Sequence, residues 1–104
     1  MIKAKFILSK GKAVGFTVSG HAGYAESGRD IVCAGVSSSL MLTVNAITEN
    51  FGVKAEVKDL GNEISFKLSE ESDEAVKIIE AFRTNLEILG REFSGTISIE
   101  NMEV

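Results

Sequence analysis

The chain opens with two runs in which apolar and polar residues alternate. Ile2, Ala4, Phe6 and Leu8 take one side, with Lys3 and Lys5 between them. Ser9-Lys10-Gly11-Lys12 breaks the pattern, and Val14, Phe16 and Val18 resume it. Period two around a glycine-bearing turn predicts an antiparallel hairpin. The period then changes. Val36, Leu40, Val44, Ile47 and Phe51 recur at helical spacing. They predict a long helix over about residues 32–50, with Asp30 as N-cap and Gly52 as C-cap. Alternation returns over residues 53–57 and 64–68. The turn sequence Asp59-Leu60-Gly61-Asn62 lies between them, so a second hairpin is expected. Ala75, Ile78, Ile79, Phe82, Leu86 and Leu89 mark the stripe of a second helix, over about residues 72–89. Ser72 caps it, Asp73 and Glu74 sit where the dipole favours negative charge, and Gly90 is placed to end it. Residues 96–99 read as a last short strand.

The order β-β-α-β-β-α-β predicts an α+β fold of two layers. A mostly antiparallel five-stranded sheet carries both helices on one face. Residues 1–104 fit one domain, and a composition 44% apolar and 25% charged supplies its core. Met41 and Leu42 lie off the stripe of the first helix, beside the small Ser38 and Ala46. That surplus points to a subunit interface and a homodimer.

Charge and composition narrow the classes of function. The formal net charge is −4 without a Lys/Arg cluster, which disfavours direct nucleic-acid binding. No run looks as apolar as the roughly 20 residues that span a bilayer, so no membrane is expected. The first eight residues alternate too strictly for a signal peptide. One cysteine permits no internal disulfide. A cytoplasmic protein is the reading these features favour.

Residues 19–30 read as a loop, punctuated by Gly20, Gly23 and Gly28. This stretch holds the only histidine, His21, and leads to the only cysteine, Cys33, twelve residues on. Thiolate and imidazole are the minimum equipment of a cysteine hydrolase. Cys33 falls in the first helical turn, where unpaired N–H groups and the dipole favour an anion. His21 could pair with the thiolate and then protonate a leaving amine. The N–H groups of Cys33 and Ala34 could receive an oxyanion. An inert alternative stands beside this. Cys33 lies on the same helical arc as Val36, Leu40, Val44 and Ile47, and free cysteines are often buried filler. Asp30 could be only a cap.

Other chemistries are weaker. His21, Asp30 and Cys33 lack the further Cys or His of a usual zinc set. The glycine spacing matches no P-loop or dinucleotide fingerprint, so no cofactor is expected. Ser37-Ser38-Ser39 lies in no nucleophile elbow. Ser37, four residues after Cys33, could line the same pocket.

The run Gly20-His21-Ala22, then Gly28, then Asp30-Ile31-Val32-Cys33-Ala34-Gly35-Val36-Ser37 resembles the ribosomal-processing cysteine protease family, also called Prp or YsxB-like. The resemblance implies a cytoplasmic, homodimeric peptidase without a metal. It would remove the N-terminal extension of large-subunit ribosomal protein number twenty-seven, after a hydrophobic, phenylalanine-containing motif. By position, Cys33 would be the nucleophile and His21 the base and acid, with Asp30 assisting or capping. Gly20 and Gly28 would hinge a loop that closes over the peptide, and Ser37 would line the pocket. Tyr24 and Phe51 are candidates for the substrate's aromatic pocket. Two rivals remain. One is a non-enzymatic ribosome-assembly or adaptor dimer. The other is a thiol hydrolase or acyl transferase with a different substrate.

Overall fold

Three phenylalanines in register fix the centre of the sheet. In the computed structural model, which describes residues 1–23, 25 and 30–104, Phe6 pairs with Phe16 and Phe16 with Phe66 on adjacent strands. All three are fully buried. The strands are β1 (Ile2–Ser9), β2 (Lys12–Ser19), β3 (Ala55–Asp59), β4 (Glu63–Leu68) and β5 (Ile97–Glu103). Their spatial order is β3-β4-β2-β1-β5. Every pairing is antiparallel except β1 with β5. The hairpins supply the antiparallel pairs. The parallel pair follows from the second helix, α2 (Asp73–Glu92), which carries the chain back along the sheet before β5.

The first helix is α1 (Ile31–Asn45), continued by a π-helical turn, Ala46–Asn50. Phe82 of α2 lies 4.9 Å from the Phe16 ring and 5.9 Å from that of Phe6, so helix and sheet share one aromatic cluster. Asn85 of α2 donates to Ser39 Oγ of α1 at 2.7 Å and ties the helices together. Lys3 and Lys5 take the open side of β1, as the alternation predicts. The two-layer α+β architecture and its element order are those expected.

Four details differ from expectation. Phe51 is 56% exposed and outside the core. The π turn, closed by Phe51 N–H on Ala46 O at 3.0 Å, adds a residue to the last turn and rotates Phe51 off the 3.6-residue stripe. Gly90 does not end α2. It lies within the helix against Ile97, and the helix is closed at Phe93, whose N–H donates to Leu89 O. β5 extends to Glu103 although residues 100–103 are exposed. Backbone pairing with β1 makes that strand, and a polar edge leaves no alternation to read. Finally, residues 31–50 are long and apolar enough, by length and composition alone, to cross a membrane. Ser37, Ser38, Ser39, Thr43, Asn45 and Thr48 interrupt the run and hid this in the sequence. Here Val32, Val36, Leu40 and Ile47 of that helix belong to the core.

Candidate active site

Asp30 begins the site by beginning α1. Its backbone is extended, and its Oδ1 accepts from the N–H groups of Val32 and Cys33, both at 3.0 Å. Its Oδ2 accepts from Ala25 N–H at 3.4 Å. A carboxylate at this position satisfies two donors that the helix leaves open. Cys33 is thereby held in the first turn. It is partly buried, packed against the core on one side and open on the other.

The facing wall is the segment after β2. Gly20 has φ +84°, and a Cβ there would lie 2.5 Å from the carbonyl oxygen of Met1. Only glycine suits that combination. Gly23 is also left-handed, at φ +68°. Between them His21 is exposed and Ala22 is buried. The N–H of Ala22 donates to Cys33 Sγ at 3.3 Å.

Two cavities meet at the cysteine. One, of about 430 Å³, has an apolar lining that includes Ile2, Val18, Val36, Leu40, Met41 and Ile64. The other, of about 450 Å³, is lined by Gly23, Ala25, Asp30 and Ala34. His21, Cys33 and Ser37 line both. The structure thus brings His21, Cys33, Ser37, Asp30 and Ala34 to one place, with Gly20 on the wall of the first cavity. Phe51 lines neither cavity, so it is no part of this site. Gly28 and Tyr24 lie outside the described residues. Among the described residues no cluster of three or more His, Cys, Asp or Glu side chains could hold a metal ion.

One expected device is absent from where it was placed. The N–H of Cys33 is taken by Asp30 Oδ1, and that of Ala34 donates to Asp30 O at 3.0 Å. Neither is open to an oxyanion. The Asp30 carboxylate also sets a negative charge against the positive end of α1. Asp30→Asn keeps a capping oxygen and removes that charge. Alkylation of Cys33 by iodoacetamide at pH 7 should therefore speed up, with stability lower by about 1–3 kcal/mol because the amide NH2 that replaces Oδ2 cannot accept from Ala25 N–H. Slower alkylation would show that the carboxylate assists the thiol.

The sequence did not point to the far wall of the apolar cavity. Gly61 and Asn62, from the turn between β3 and β4, line it together with Glu63, the first residue of β4. They arrive because Ile64 pairs with Val18 and Glu63 with Ser19. That pairing joins strands more than 40 residues apart and has no local signature.

The chain belongs to the cysteine protease Prp family, whose sequence profile matches residues 1–98. The ribosomal processing cysteine protease Prp of Bacillus subtilis is 30% identical, over 95% of this chain and 96% of its own length. The protein of that name from Staphylococcus aureus is 31% identical, over 86% of this chain and 88% of its own. Among solved structures, the S. aureus Prp protease in complex with a covalently linked product peptide superposes with a TM-score of 0.90 at 28% identity. That match covers 98% of this chain and all of the other.

Proposed function

We propose that this protein is a cysteine endopeptidase that removes the N-terminal extension of large-subunit ribosomal protein number twenty-seven, with Cys33 as nucleophile and His21 as base and acid. The observation that carries the reading is the position of His21 and Cys33 on the wall shared by two cavities. A peptide crossing from one cavity to the other presents its middle bond to the sulfur. The apolar cavity suits a hydrophobic or aromatic side chain on one side of that bond. The ribosomal processing role named for the relatives supports the substrate class.

In this mechanism the Cys33 proton passes to His21, and the sulfur attacks the scissile carbonyl carbon. An Sγ–C bond forms and the carbonyl π pair moves to oxygen. Collapse breaks the C–N bond, and His21 returns its proton to the departing amine. Water then hydrolyses the thioester, and the thiol is restored. Asp30 holds the helix start that carries the nucleophile, and Ser37 lines the passage. The chain acts in the cytoplasm as a homodimer, paired through the exposed Ile31, Met41 and Leu42 of α1.

A precursor peptide of that ribosomal protein, incubated with the enzyme and followed by mass spectrometry, should be cut after its phenylalanine-containing motif. Replacing the phenylalanines by aspartate should stop cleavage. An intact wild-type peptide after many enzyme equivalents of time would overturn the substrate assignment.

A further inference from the structure

Negative charge moves during acylation, from sulfur to the substrate oxygen. Preorganised N–H donors along that path lower the barrier. The start of α1 is the obvious source of donors, and it is spent. Val32, Cys33 and Ala34 N–H all donate to Asp30. Among the described residues, the donor that reaches sulfur comes from the opposite wall, as the N–H of Ala22 at 3.3 Å.

Ala22 is well placed to hold that position. It is only 6% exposed and belongs to the core cluster. The segment turns into it at Gly20 and out of it at Gly23, both left-handed. Gly20 is in turn pressed against the Met1 carbonyl. One pair of residues therefore presents the His21 side chain to the cavities and the Ala22 N–H to the sulfur.

We propose that the backbone N–H of Ala22 is the anion donor of this site: it holds the Cys33 thiolate and passes to the carbonyl oxygen when the Sγ–C bond forms. This deepens the peptidase reading and rests on it. Once bonded to carbon, the sulfur is a neutral thioether and has no charge for the N–H to hold. The charge now sits on an oxygen two bonds from that sulfur, within reach of the same donor. When the C–N bond breaks, the oxygen pair returns to the carbonyl and His21 protonates the amine.

The unique cysteine makes the test direct. A synthetic thioester of residues 1–32 can be ligated to a segment that begins at Cys33, which yields the full chain. Lactic acid in place of Ala22 exchanges that one N–H for an ester oxygen and keeps the methyl group. Relative to the all-amide chain made the same way, the ester form should react several-fold more slowly with iodoacetamide at pH 7. Its kcat on the precursor peptide should fall by about 100-fold, the usual loss for one oxyanion donor, with KM little changed. Unchanged alkylation and kcat would overturn the proposal. A kcat that falls only as far as alkylation does would overturn the transfer to oxygen, and a fall in kcat alone would overturn the hold on sulfur. Failure of the peptidase reading looks different, because the all-amide chain would then cleave nothing while the alkylation comparison still reports on the N–H. The native ¹⁵N-labelled chain keeps the proposal testable if the ester form does not fold. Its Ala22 amide resonance should shift as Cys33 ionises and stay shifted in the adduct with a phenylalaninal-ended peptide aldehyde. A resonance indifferent to both would overturn the assignment.

Discussion

Cys33→Ala should abolish peptide cleavage and leave the fold in place. The two halves of this expectation rest on different groups. Asp30 caps α1 through the backbone N–H groups of Val32 and Cys33, so the cap survives loss of the thiol. The side chain is only partly buried, at the edge of the core, and alanine leaves a small gap there. Stability should fall by about 1 kcal/mol or less. Chemistry has no such reserve, because the chain has one cysteine and the proposed thioester cannot form without it. Cleavage should drop by about 10⁴-fold or more, the scale of a lost nucleophile. The variant should still bind the precursor peptide in the cavities that His21 and Ser37 continue to line. Mass spectrometry of the peptide beside circular dichroism of the protein checks both halves. Cleavage at the wild-type rate would remove Cys33 from the mechanism.

The features legible in the sequence are those written by side chains over short spans. Alternation about Gly11 and Gly61 marked both hairpins, and Asp30 and Ser72 marked both helix starts. Asp30 does accept from Val32 and Cys33 N–H, and Ser72 from that of Ala75. What escaped was written by the backbone or by distant pairing. The π turn that exposes Phe51 is a change in hydrogen-bond spacing, and the residues 46–50 carry no sign of it. β5 lengthens through its ladder with β1, past the point where its side chains turn polar. Gly90 reads as a helix stop by type alone, yet it lies inside α2, where a Cβ would make only ordinary contact with Ile97. The site shows the same division. His21, Asp30 and Cys33 stand out by residue type. Ala22 does not, because the group that reaches the sulfur is an amide common to almost every residue. Nor do Gly61, Asn62 and Glu63, which the β2–β4 pairing brings to the cavity.

His21→Ala should slow amide cleavage by about 10²–10⁴-fold, the range for a lost acid–base group, and the loss should depend on the leaving group. His21 is exposed, so its removal should change stability by no more than about 0.5 kcal/mol. The imidazole has two tasks in the proposed mechanism. It takes the thiol proton, and it protonates the amine that leaves. The first has a partial substitute, because the Ala22 N–H remains on Cys33 Sγ and steadies the thiolate. The second has none, since an amide nitrogen cannot leave as an anion at neutral pH. A p-nitrophenyl ester with the same peptide portion leaves without a proton. Its cleavage should therefore fall at least tenfold less than that of the amide. Measuring kcat/KM for both substrates on wild type and variant gives the comparison. Equal losses on amide and ester would confine His21 to forming the thiolate, and the departing amine would then need another proton source.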